Sequence, residues 1–146
     1  MGTYEKLSAQ SRFCEALGRM TLAAARFESD MRAFLALNDV RVSANSTMGT
    51  LARDLKKHGL VSENGAGILR TLKTQRNYLT HSLYDLFAAR IDEGLMLREE
   101  FEDTSLLTER AWQLEQNLNG LSEIAEERIA QLQTGECEKG ALLLTP

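Results

Sequence analysis

Apolar residues return every three or four positions along most of this chain. In the first third the stripe is Phe13, Leu17, Met20, Ala24, Phe27, Met31 and Phe34, the spacing of one face of an α-helix. A long first helix is therefore expected from about Tyr4 or Ser8 to Leu37, ending at Asn38 and Asp39, with 40–45 as a loop. Glu28 lies beside the stripe at Phe27. A partly exposed surface glutamate is the expectation there, because Glu is seldom buried; the other reading is an inward acid paired with a buried base.

Ser46 or Thr47 can cap a short second helix, Met48 to His58. Lys56, Lys57 and His58 suit the negative end of its dipole, and Gly59 supplies a left-handed stop. Ser62 can cap a third helix, softened early by Gly65 and Gly67. Its stripe is Leu69, Leu72, Arg76, Leu79, Leu83 and Leu86, with steps of 3, 4, 3, 4 and 3. Every member is leucine except Arg76. This helix, running to about Ala88, is expected to be the central one. Residues 90–97 can form a small hairpin around Asp92-Glu93-Gly94. Asp103 or Thr104 then caps the last long helix, about Ser105 to Gln133, whose stripe runs Leu107, Ala111, Leu114, Leu118, Leu121, Ala125, Ile129 and Leu132 until Gly135 ends it.

The pattern predicts an all-α protein, an antiparallel helical bundle of three long helices and one short helix, with the small hairpin before the last. Residues 1–135 make one domain, and 136–146 a tail too short to fold alone. Composition agrees: one proline, at position 146, leaves the helices unbroken. Cys14 and Cys137 lie far apart with no histidine at ligand spacing, so no metal, cofactor or disulfide framework is expected. The first ten residues hold no apolar signal core, and no apolar run approaches the roughly 20 residues of a membrane span. The expectation is a reduced, cytoplasmic protein with no membrane partner.

Net charge is −4, which disfavours coating nucleic acid by charge alone. Its distribution is uneven. Residues 1–45 carry 6 bases and 5 acids, residues 46–91 carry 7 and 3, and residues 92–146 carry 4 and 13. The basic third holds the arginine that interrupts the leucines.

A guanidinium keeps its charge in proteins, and an unpaired one in a core costs several kcal/mol by desolvation. Arg76 must snorkel to the bundle edge, pair with an internal acid, or face a cleft or second subunit. Asn77 and His81 are four apart and share a helix face, with Lys73 a turn before and Tyr84 or Asp85 a turn after. A cation, an amide, an imidazole and a phenol along one strip suit an anionic ligand and a proton transfer. His58, by contrast, is explained by its helix end.

The run Arg76-Asn77-Tyr78-Leu79-Thr80-His81, late in a bundle helix, resembles the motif of the HEPN superfamily, in which Arg is followed after four to six residues by His, often with a polar residue just after the Arg. The layout over about 10–133 is also similar to the helical mannitol operon repressor family. The resemblance implies a metal-independent endoribonuclease, a toxin or defence effector, acting on RNA as a homodimer whose two motif helices form one groove. It implies that the ribose 2′-hydroxyl attacks the adjacent phosphate. His81 would be the general base or acid, Arg76 the stabiliser of the charged phosphorane, and Asn77 the residue that orients His81 or holds a phosphate oxygen; Lys73, Tyr84 and Thr80 would help bind substrate. In relatives paired with a nucleotidyltransferase antitoxin, a tyrosine commonly lies two residues after the His; here Leu83 stands there and the tyrosine is Tyr84. An antitoxin or other regulatory protein is the implied partner. The competing readings are a non-catalytic helical regulator or protein-binding module, and a plain bundle in which Arg76 snorkels.

Overall fold

The computed structural model describes residues 2–88, 104–136 and 140. Within them the protein is all-helical: α1 (Thr3–Ser8), α2 (Ser11–Leu37), α3 (Met48–Lys57), α4 (Glu63–Asn77), a π-helical turn (Tyr78–Ser82), α5 (Leu83–Phe87) and α6 (Ser105–Thr134). The expected hairpin and the tail lie outside the described residues, except Glu136 and Gly140.

Local chemistry sets the ends. Ser62 Oγ accepts from the Gly65 N–H at 3.0 Å and starts α4. Thr47 occupies the cap of α3, and its N–H donates to Thr50 Oγ1 at 3.0 Å. At the other end of α3, Gly59 turns left-handed (φ 67°). The Gly59 N–H then donates to the Lys56 carbonyl and the Leu60 N–H to that of Leu55, tying off two orphan carbonyls. Asp39 makes the same left-handed turn after α2 (φ 64°), and Gly135 does so after α6.

The expected first helix is two helices. The chain breaks at Ala9–Gln10, where Gln10 leaves helical geometry. No apolar stripe holds the first turns down, since only Leu7 packs on the core there. The break is fixed from both sides: the Cys14 thiol donates to the Leu7 carbonyl, and the Thr104 hydroxyl donates to Gln10 Oε1 at 3.1 Å. Thr104 therefore begins α6 without capping it through its side chain.

The core is built mainly between α2 and α6. Phe13, Met20, Phe27, Met31 and Phe34 of α2 are buried, and the facing stripe of α6 supplies Leu107, Ala111, Leu114, Leu118, Leu121 and Ala125. Large rings opposite alanine and leucine interlock at the density of a protein interior. Phe27 and Phe34 are fully buried, each contributing roughly 1.5–3 kcal/mol through transfer from water. Salt bridges Arg19–Glu115 (3.0 Å) and Arg26–Glu126 (2.7 Å) pair rising numbers with rising numbers, so α2 and α6 run parallel. Between α4 and α6 the order reverses: residues 74–79 lie opposite 110–117, and 64–75 opposite 116–124. Successive long helices are thus antiparallel.

The expectation that α4 is central is corrected. It packs chiefly on α3, and α2 with α6 carries the middle of the core. Its seam residues Leu69, Leu72, Leu79 and Leu83 are buried as expected. The bulkiest buried side chains, however, belong to α2, and the face of α4 toward α6 is partly open.

One polar cluster interrupts the α2–α6 seam. Arg26 holds Glu126 by two hydrogen bonds at 3.0 Å and Asn119 by one at 3.0 Å. One turn on, Asp30 Oδ2 and the buried Ser122 Oγ are each without a hydrogen-bond partner among the described residues. Burial, then the neighbouring Glu126 carboxylate, raises the Asp30 carboxyl to about 6. A raised carboxyl contributes stability that is complete below its unfolded value of roughly 4 and lost as pH rises through about 6. Asp30→Asn removes that dependence. Melting temperatures of wild type and variant should therefore diverge in favour of the variant as pH rises from 4 to 7.5, and a constant difference would contradict the assignment.

Candidate functional site

Arg76 keeps its charge in the leucine seam because its counter-charge is inside the same chain. Its Nη1 lies 3.7 Å from Glu28 Oε1 on α2, and the two side chains are only 20% and 15% exposed. The surface reading of Glu28 is thereby corrected. Position 28 neighbours the fully buried Phe27 and sits close enough to the seam to turn inward once a cation faces it. Arg76 Nε also donates to Asn77 Oδ1 at 3.1 Å. The carboxamide thus grips the arginine, which differs from the expected role of orienting His81. Among the described residues, two of the guanidinium's five N–H donors are directed to protein groups, one on Nε and one on Nη1.

The contact to Glu28 is the loosest of the arginine pairs that join helices. Arg26–Glu126 closes to 2.7 Å and Arg19–Glu115 to 3.0 Å. At 3.7 Å the pair is coulombic without a hydrogen bond. An incoming phosphate would compete with a charge contact only.

Immediately after Asn77 the helix widens. Tyr78–Ser82 form a π turn, closed by the Leu83 N–H donating to the Tyr78 carbonyl five residues back. Turns of this kind are frequent at functional sites. Thr80 lies inside this turn. Its hydroxyl donates to the Arg76 carbonyl at 2.9 Å, and such back-bonding loosens and bends helices. The Thr80 hydroxyl proton is therefore committed to the backbone, leaving the oxygen as an acceptor. The sequence carries no signal for the widened turn.

The other strip residues fall around this turn. His81 and Tyr84 are exposed. Lys73 is exposed as well and crosses α3 at Gly49, where an added Cβ would lie 2.9 Å from Lys73 Nζ. The structure joins Arg76, Asn77 and Thr80 by hydrogen bonds, and no hydrogen bond links the His81 ring to Arg76 or Asn77. A ligand would have to bridge them.

On the α6 side of the same turn lies a groove that the sequence did not reveal. Two hollows of about 420 and 920 Å³ share Gln75 and Asn117 and form one channel between α4 and α6. Leu72, Leu79 and Leu114 contribute to its floor. Among the described residues no helix is long and apolar enough to cross a membrane. No protein-family model, curated protein or solved structure matches the chain, so the site is read from its own geometry.

Removing the arginine should strand its partner. Arg76→Leu leaves a Glu28 carboxylate largely buried without a counter-charge, a loss of about 1–3 kcal/mol. In urea denaturation Arg76→Leu should be less stable than wild type, and adding Glu28→Gln should restore most of the difference. A single Arg76→Leu variant as stable as wild type would show that the arginine merely reaches solvent.

Proposed function

We propose that this protein is an HEPN-like, metal-independent endoribonuclease, a toxin or defence effector that cleaves RNA at a site composed by two copies of the chain. The observation that carries the reading is the half-buried Arg76, held at one edge by Asn77 and loosely by Glu28, two residues before a π turn that presents His81. A planar cation whose Nη2 has no partner among the described residues suits a phosphoryl group that gains charge at the transition state. Imidazole is the side chain that takes and returns a proton near neutrality.

The chemistry requires little else. The ribose O2′ forms a bond to phosphorus as its proton passes to an imidazole, and the P–O5′ bond breaks as that oxygen takes a proton. The products are a 2′,3′-cyclic phosphate and a 5′-hydroxyl. One His81 would serve as base and a second, from the other copy, as acid. Arg76 would meet the non-bridging oxygens through Nη2, with Asn77 keeping its plane fixed. Lys73 and Tyr84 would flank the backbone of the bound strand.

A non-catalytic regulator that binds a protein, including an antitoxin-like partner, is the second reading. It draws on one observation: the Arg76 charge is already balanced within its own chain.

Wild type, His81→Ala and Arg76→Lys should be compared on a mixed RNA pool in EDTA. Wild type should cut, and both variants should lose at least a hundredfold in rate, the scale of removing a proton-transfer group or charge stabiliser, with unchanged helical content. Equal activity in all three would exclude the mechanism.

A further inference from the structure

The channel between α4 and α6 has an unusual lining for so acidic a helix. Five glutamates lie on α6, yet none lines the groove. Glu115 and Glu126 are turned to arginines on α2. Of the 17 described residues that line the two hollows, five are Asn or Gln, one is a cation (Arg110) and none is an acid. The carboxamides are Asn64 and Gln75 on α4, and Gln113, Gln116 and Asn117 on α6, standing over the leucine floor.

This chemistry narrows the occupant. A carboxamide carries both a donor and an acceptor. Covering it with an apolar helix leaves those groups unpaired, at roughly 1–3 kcal/mol each. The edge of a nucleobase also alternates donors and acceptors, and Asn and Gln pair with it in two-point fashion. The leucine floor offers apolar surface against which a base face can lie. None of the five glutamates of α6 lines the groove, so a polyanion is spared their repulsion there. Position completes the case. Thr74, Gln75 and Tyr78 of the groove interleave in sequence with Arg76, Asn77 and His81 over the end of α4 and the π turn.

We infer that the α4–α6 groove is a subsite for unpaired bases of single-stranded RNA, where Gln75, Gln113 and Asn117 bond base edges next to the Arg76–His81 turn. It rests on the ribonuclease reading for the chemistry and adds the place where the bases of the strand are held, apart from the Arg76–His81 turn that meets the backbone.

The test uses the full chain carrying His81→Ala, so that RNA survives, and two labelled probes of equal length and charge: a single-stranded RNA and its abasic counterpart. Fluorescence anisotropy should show tighter binding to the base-bearing strand. Adding Gln75→Leu and Gln113→Leu, both at exposed positions, should weaken that binding by roughly tenfold, the scale of a lost two-point base contact, and leave the abasic strand unchanged. Equal binding of both probes, or no effect of the glutamine changes, overturns the inference. So does sedimentation showing that Gln75→Arg splits a dimer, which would make the groove a protein interface. The two readings fail separately: cleavage by the His81-bearing chain without base dependence removes the groove and keeps the enzyme, whereas base-dependent binding without cleavage keeps the groove and removes the enzyme.

Discussion

The half-buried pair of Arg76 and Glu28 is the constraint around which α4 is arranged. A permanent cation in a leucine seam must find an acid or water, and here the acid comes from the helix with the bulkiest core residues. The pair anchors the end of α4 against α2 at the height where the regular helix gives way to the π turn. Without that anchor, an arginine at this position would oppose the burial of Leu72 and Leu79 on either side. With it, the guanidinium is oriented while Nη2 has no partner among the described residues. This is the condition of a preorganised anion site, in which the orienting groups are paid for by folding before any ligand arrives.

The division of labour among the helices follows from side-chain size. The aromatic and methionine stripe of α2 fits the alanines and leucines of α6, so those two helices form the body of the fold. The leucine helix is left to attach through α3 and through Arg76. Its remaining face meets α6 across an open channel rather than a packed seam. Site and groove therefore lie on a helix less committed to the core than α2 and α6, where a widened turn and exposed polar groups cost the fold less.

Much of the architecture was legible in the spacing of apolar residues. The stripes of α2, α4 and α6, the Ser62 cap and the stops at Gly59 and Gly135 all follow from local rules that the surroundings do not override. The break at Gln10 was not legible, because it depends on Thr104, 94 positions away. Glu28 was legible only as one of two readings: an acid beside a seam turns inward if a cation faces it, and the facing cation lies 48 positions on. The π turn was hidden for a different reason. A threonine hydroxyl bonding a carbonyl four residues back is common in ordinary helices, and Thr71 and Thr74 do the same without widening α4. The groove was invisible because periodicity reports which face is apolar and not how far apart two such faces stand.

The chemistry proposed for Arg76 and His81 is tested most directly by the ends of the RNA fragments it would leave. Purified protein should be incubated with a short labelled RNA in EDTA, and the product termini assigned by mass spectrometry. The account predicts a 2′,3′-cyclic phosphate on one fragment and a 5′-hydroxyl on the other. Fragments ending in a 3′-hydroxyl and a 5′-phosphate, or intact RNA throughout, would contradict it.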